Sequence, residues 1–149
     1  MKTVRQIDLS LKNRPGMLSE VSDLLGANGI NIIAFYVITE KDIGKLHFVA
    51  NDPDQAINVL KTAGYEIALK DVIACETPHH PGGLNAVLKP LKEAKINVDY
   101  IYPCIGTGDI TVLILGLKPI KKALDVMEAN WIRVLDDELY HLKHRANQG

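Results

Sequence analysis

The segment at residues 15–25 recurs at residues 81–91, and the same offset of 66 positions carries through most of the chain. Pro15-Gly16 matches Pro81-Gly82, Leu18 matches Leu84, Val21 matches Val87 and Leu25 matches Leu91. Further along, Ile30-Asn31 matches Ile96-Asn97, Tyr36 matches Tyr102, Pro53 matches Pro119, Ala63 matches Ala129 and Leu69 matches Leu135. A period this long, with proline, glycine and asparagine kept in place, marks a duplicated module rather than a solenoid of short repeats. The 149 residues therefore read as two domains, 1–70 and 71–140, followed by a tail at 141–149. Modules this small have little core of their own, so pairing of the two copies, and of two chains, is expected. The seam between paired copies is a natural ligand site.

Within the first copy, Ile7, Leu9 and Leu11 alternate with Gln6, Asp8 and Ser10, the pattern of a half-buried strand. Asn13-Arg14-Pro15-Gly16 turns the chain, and Met17, Leu18, Val21, Leu24 and Leu25 recur at helical spacing until Asn28-Gly29. Asn31–Ile38 and Lys45–Ala50 read as strands. Asp52-Pro53 caps a second helix that stops at Gly64, and Tyr65–Leu69 is a fourth strand. The second copy repeats this order: strand Val72–Thr77, helix Gly83–Lys95, strands Asn97–Ile105 and Ile110–Gly116, helix Pro119–Ala129 and strand Trp131–Leu135. Asn130 falls where Gly64 stood, as a left-handed cap. The fold class expected is α+β: tandem ferredoxin-like βαββαβ modules, antiparallel sheets with helices on one face, paired into a larger sheet. With no linker between copies, a kink near Lys70-Asp71 should mark the join. Pro90 should kink or shorten the third helix, and Pro103 assigns its strand to a sheet edge or a bulge.

Composition excludes several function classes. A net charge of −1 provides no electrostatic footprint for nucleic acid or an anionic membrane. No apolar stretch approaches the roughly 20 residues of a membrane span. Cys75 and Cys104 sit in apolar strand-like runs without motif spacing, which points to buried thiols in a reduced, cytoplasmic setting. No nucleophile–base arrangement, phosphate loop or paired carboxylates at catalytic spacing is visible, and no cofactor is expected. His79-His80 invites a metal reading, but adjacent imidazoles seldom share an ion and no further ligand lies at suitable spacing, so no metal is expected. His141 and His144 belong to a basic terminus read as solvated. Asp8 and His47 are expected to face each other on the sheet side away from the helices.

The best chemical candidates are the doubled Pro-Gly turns. Unpaired N–H groups at a helix N-terminus receive a carboxylate well, and glycine at 16 and 82 lets a ligand approach the backbone. The same residues equally make a tight strand-to-helix turn with no ligand at all. Asn31 and Asn97 offer a donor and an acceptor each, or simply complete a helix-to-strand turn. Arg14 could pair with a carboxylate or stand as a solvated loop charge.

Taken together, Asn13-Arg14-Pro15-Gly16-Met17-Leu18 with Asn28-Gly29-Ile30-Asn31-Ile32 resembles the signature of the ACT domain, the small-molecule-sensing module of amino-acid metabolism. His79-His80-Pro81-Gly82-Gly83-Leu84 with Ile96-Asn97-Val98 resembles it again, and the resemblance covers all but the C-terminal tail. It implies units paired through the second-strand edge and an amino acid bound at that seam. By this resemblance Asn13, Asn31, His79 and Asn97 are polar ligand contacts. The turns Pro15-Gly16-Met17-Leu18 and Gly82-Gly83-Leu84 would hold the carboxylate through their backbone. The second site departs from the pattern, with His79-His80 in the turn and Gly83 in place of Met17, so the Asn13/Asn31 site is favoured.

The resemblance implies a non-enzymatic amino-acid sensor that forms a homodimer and passes its state to a metabolic enzyme. A regulatory subunit of a biosynthetic enzyme such as acetohydroxyacid synthase is the alternative. A small ferredoxin-like enzyme using Arg14 and Asn31 is a third reading. On strict alternation, strand Asn31–Ile38 places Ile32, Ala34, Tyr36 and Ile38 on one face and Ile33, Phe35 and Val37 on the other. Both faces are apolar, so a neighbour is expected to cover one of them.

Overall fold

The computed structural model describes residues 1–142, so His144 and most of the expected tail lie outside the described residues. Contacts gather the chain into two units, Arg5–Lys70, and Asp71 onward together with Met1–Val4. The first unit contains β1 (Val4–Lys12), α1 (Met17–Ala27), β2 (Ile32–Glu40), β3 (Ile43–Ala50), α2 (Pro53–Thr62) and the opening of β4 (Ile67–Thr77). Its strand order is β2-β3-β1-β4, with β3 antiparallel to both β1 and β2. The second unit contains the rest of β4, then α3 (Gly83–Glu93), β5 (Val98–Pro103), β6 (Thr111–Leu117), α4 (Ile120–Ala129) and β7 (Val134–Leu135). Its order, β5-β6-β4-β7, is the same βαββαβ arrangement. A 3-10 turn at Asp137–His141 follows, with Asp136 before its first residue.

Period-2 patterning puts Ile7, Leu9 and Leu11 on the same side as Leu46 and Phe48, where Val21 and Leu25 of α1 and Ala56 and Leu60 of α2 cover them. The second unit builds the equivalent layer from Ile73, Cys75, Leu113, Leu115 and Leu117 beneath Val87, Leu91, Ala123 and Met127. In each, both helices lie on one face of an antiparallel sheet. Truncating the fully buried Phe48 to alanine would cost about 3–5 kcal/mol. α2 starts on Asp52, whose Oδ1 accepts from the Gln55 N–H at 3.2 Å, with Pro53 at the first helical position.

Several expectations are corrected. The offset of 66 holds only through the second strands and becomes 67 from β6 onward. Leu46 corresponds to Leu113, Ala56 to Ala123, Leu60 to Met127 and Ile67 to Val134, as their places in the two cores show. The extra residue is absorbed between β5 and β6, where the short turn at Lys41-Asp42 is replaced by residues 104–110. The counterpart of Gly64 is therefore Trp131, not Asn130. Gly64 has φ 87° and Trp131 φ 59°, whereas Asn130 sits at −105°. A tryptophan in left-handed backbone costs roughly 1–2 kcal/mol that glycine avoids.

The faces of β2 also differ from strict alternation. A bulge between Ile32 and Ala34 puts Ile32 across from Ala50, Phe35 across from Phe48 and Val37 across from Leu46, all on the helix side. Ala34 and Tyr36 point the other way. β5 has the same irregularity between Val98 and Tyr100, so the bulge was duplicated with the module. Among the described residues β5 pairs only with β6, which makes it an edge strand, one of the two places expected for Pro103. Pro90 does not shorten α3, which is eleven residues long like α1. Its missing N–H would have met only the Ala86 carbonyl, and the helix still closes with Ala94 N–H donating to Pro90 O at 3.1 Å. β4 passes Lys70-Asp71 as one uninterrupted strand.

Candidate functional site

β1 ends at Lys12 and α1 begins at Met17, and the turn between them shapes a hollow of about 290 Å³. Gly16 caps α1 at φ 89° and Gly82 caps α3 at φ 84°, and neither helix has a side-chain cap. Only glycine reaches that conformation without strain, so the doubled Pro-Gly is first of all a requirement of the turn. The first turn of α1 has its Met17 N–H directed at Arg14 O at 3.4 Å and Glu20 N–H at Gly16 O at 2.9 Å. The N–H groups of Leu18 and Ser19 have no backbone or side-chain acceptor among the described residues, as expected of helix positions two and three.

Asn13, Pro15, Gly16, Met17 and Leu18 all line this hollow, together with Lys12, Arg14, Val37, Thr39, Gly44 and Lys45. Three of these residues are cations and none is acidic. Arg14 is 3.6 Å from Glu20 in an exposed pair, which holds it weakly. Asn13 is fixed by its own amide, with Nδ2 donating to Lys41 O at 2.9 Å and its backbone N–H to Asp42 O at 2.8 Å. Its side-chain carbonyl is left to accept. The arrangement can receive a carboxylate at the helix end and an ammonium at Asn13 Oδ1. Lys45, Thr39 and Gly44 escaped the sequence reading. The signal was the register of β1 with β3, which pairs Ser10 with Lys45 and Leu11 with Gly44.

Asn31 is not brought to this hollow. It lies beyond the other end of α1, an eleven-residue helix of about 16 Å. There its backbone N–H donates to Asn51 Oδ1 at 2.9 Å and its carbonyl accepts from Asn51 N–H at 3.0 Å. Asn97 occupies the same place in the second unit, with Nδ2 donating to Asp99 Oδ1 at 3.2 Å.

The second turn is closed on itself. Gly83 N–H donates to His80 O at 2.8 Å, and Thr77 Oγ1 donates to Gly83 O at 3.2 Å. A Cβ at position 83 would run into the Pro78 carbonyl, so the chain itself fills the space that the Met17 side chain takes in the first copy. His80 Nδ1 bonds the neighbouring Pro81 O at 2.9 Å. A concavity of about 390 Å³ beside this turn is lined by Thr77, Pro78, Ala86 and Val87 and by Asn130–Arg133, without His79, Gly82 or Leu84.

Asp8 and His47 face each other on the sheet side away from the helices. Nδ1 of His47 is 2.7 Å from Asp8 Oδ1, Gln6 Nε2 donates to the same oxygen at 2.7 Å, and Lys70 Nζ is 3.4 Å from Oδ2. The Tyr36 ring stacks on His47 with centroids 4.4 Å apart. Among the described residues every buried polar side-chain atom is satisfied, which makes this a structural polar layer. Cys75 and Cys104 are free, and burial pushes both thiols up to about 12, Cys104 further through the neighbouring Cys75. Thiols so far from ionising are poor nucleophiles. Among the described residues no three His, Cys, Asp or Glu side chains gather as metal ligands, and no helix is long and apolar enough to cross a membrane.

Comparison with known proteins meets this geometry. The family model of the ACT domain pair matches residues 2–142. A crystal structure of a protein from Bacteroides thetaiotaomicron is 26% identical, with a TM-score of 0.87 over 93% of this chain and 96% of that one. The regulatory subunit of aspartate kinase from Thermus thermophilus, in ligand-free form, is 17% identical with a TM-score of 0.61 over 87% and 93% of the two chains. That from Thermus flavus is 15% identical, with a TM-score of 0.58 over 88% and 94%. No curated protein sequence matches. With two βαββαβ units, two glycine-capped turns and a family model that spans nearly every described residue, the chain belongs to the ACT domain pairs.

Proposed function

We propose that this chain is a non-enzymatic sensor that binds an amino acid at its first strand-to-helix turn and regulates amino-acid metabolism. The observation that carries the reading is the hollow at Asn13–Ser19: three cations, no acid, two open helix N–H groups and one free amide carbonyl. At about 290 Å³ it sits at the small end of ligand pockets, a size that fits an amino acid. The sensor acts as a homodimer, in which Asn31 of a second copy completes the site that Asn31 of the same unit is too distant to reach. Phe35, Val37 and Ile38 support this reading, because they lie exposed on the edge strand β2 where a second copy would cover them. We read the closed turn at Thr77–Gly83 as a site that no longer takes a ligand through His79, Gly82, Gly83, Leu84 and Asn97, so that each chain binds once. The two free thiols suit a reducing compartment, and we assign the protein to the cytoplasm on that ground.

A thermal-shift screen against the twenty amino acids tests the reading. A ligand at about 100 times its dissociation constant adds roughly 2.7 kcal/mol, a plain rise in melting temperature. Asn13→Ala and Asn31→Ala should each reduce the shift. A screen with no response would remove the sensor reading.

A second reading has one observation in its favour: two of the similar structures are regulatory subunits of aspartate kinase. On this reading the chain is itself the regulatory subunit of a biosynthetic enzyme. Recovery of a catalytic chain with the tagged protein from its own cells decides for it, and recovery of the sensor alone decides against.

A further inference from the structure

The two copies end their second helices with the same hydrogen bonds and opposite chemistry. In the first copy, Gly64 N–H donates to Lys61 O and Tyr65 N–H to Leu60 O, both at 3.0 Å. In the second, Trp131 N–H donates to Glu128 O at 3.2 Å and Ile132 N–H to Met127 O at 3.0 Å. The cap is unchanged, yet glycine has become tryptophan and Lys61 has become Glu128. Lys61 complements the carbonyl-rich end of α2. α4 has no basic residue in its last turn, and Glu128 adds negative charge where the helix is already negative. Trp131 holds a left-handed φ of 59° while 94% exposed, so its strained placement obtains almost no packing from the described residues.

Both departures are unfavourable inside the molecule, and one kind of ligand offsets both. A cation over the indole face is attracted by the ring, by Glu128 and by the helix end together. The space exists: a hollow of about 620 Å³ is lined by Leu124, Glu128, Trp131, Ile132 and Val134, with charged residues around them. Of those charges, Lys121 pairs with Asp125 at 3.4 Å, and Arg133 pairs with Glu138 at 3.1 Å and with Glu76 at 3.2 Å. Glu128 and Lys2 have no ion-pair partner among the described residues. Lys2 repels a cation in its own vicinity and so directs it to the Trp131 end.

We propose that the Trp131–Glu128 end of this hollow binds a small organic cation, an ammonium or guanidinium group resting on the indole with Glu128 as its counter-charge. The hollow as a whole, at about 620 Å³, leaves room for such a cation at one end, since small-molecule sites run from roughly 300 to 1,000 Å³. The site is separate from the hollow at Asn13–Ser19 and takes the opposite charge.

Trp131 is the chain's sole tryptophan, so its fluorescence reports this site directly. The full chain is titrated with choline chloride and with agmatine, against 3,3-dimethylbutan-1-ol as the uncharged isostere of choline and sodium chloride as the salt control. The expected result is a saturable change with at least one cation, about tenfold tighter than with the alcohol. Glu128→Gln should weaken it by about fivefold without altering the fold. Trp131→Gly should abolish heat of binding in calorimetry while raising the melting temperature, because the backbone strain is relieved. No saturable change with either cation, an equal response to the alcohol, or a melting temperature lowered by Trp131→Gly would each overturn the proposal.

Discussion

Residues 13–19 and 79–85 begin with the same backbone geometry and end with different contents. Both turn on a glycine, at φ 89° and 84°, a left-handed conformation that this turn keeps in both copies. In the first copy the space beyond the glycine is bordered by Met17, Lys12 and Lys45 and stays open. In the second, the Pro78 carbonyl takes the place of the Met17 side chain and Thr77 Oγ1 donates to Gly83 O. Duplication kept what the fold demands and released what it does not. The sheet faces away from the helices repeat the lesson. The polar layer of Gln6, Asp8 and His47 becomes Val72, Ala74 and Ile114 in the second copy, apolar and more fully buried.

The comparison can be broken by mutation, most severely at position 83. Restoring the first copy's residue with Gly83→Met should destabilise by about 2–4 kcal/mol in urea unfolding, since the Pro78 carbonyl must move. A loss below about 0.5 kcal/mol would mean that the second turn opens readily and resembles the first after all. Next, Asp8→Ala strips His47 and Gln6 of their shared acceptor and should cost about 1–3 kcal/mol by the same measurement. An unchanged midpoint would make the polar layer no more than filler.

Alkaline pH should separate the units without any mutation. Cys75 occupies the place of Leu9, so this thiol belongs to the second core alone. Burial raises its folded value to about 12 from an ordinary 9.0. The contribution is therefore complete below pH 9 and is lost as pH climbs from 9 toward 12. At pH 10 the thiol should already cost about 1.4 kcal/mol. Amide exchange at pH-corrected rates should show β6 weakening before β3, and Cys75→Val combined with Cys104→Ala should remove the difference, because both raised thiols lie in the second unit. The smallest effect is on binding. Lys45→Ala should weaken the amino acid found by thermal shift by about three- to tenfold while leaving the free protein's melting temperature unchanged. Equal affinity in the variant would take the positive rim out of recognition.

Most of the architecture was legible because its signals are local. Alternation in β1, the Asp52-Pro53 cap and the Pro-Gly turns each name their element without reference to a partner. The one-residue slip after β5 was hidden by chance agreement at 66, as in Pro53 with Pro119 and Ala63 with Ala129. The pairs that share a place in the cores, Leu46 with Leu113 and Ala56 with Ala123, lie at 67. The bulge at Ile33 was invisible for a related reason, because alternation in an all-apolar strand has no polar residue to betray a change of face. Of the candidate site, the turn residues were legible and the rim was not, since Lys45 joins it only through strand register.

Residues 104–110 have already been lengthened once relative to their counterpart, and both β6 and α4 beyond them keep their full places in the core. Strand pairing with β5 sets the phase anew after the loop, so its length is free to vary. That makes the segment a natural point for a reporter insertion. A fluorescent domain grafted there would belong to the second unit and leave the turn residues of the first unaltered, so the amino-acid binding proposed above could be followed optically.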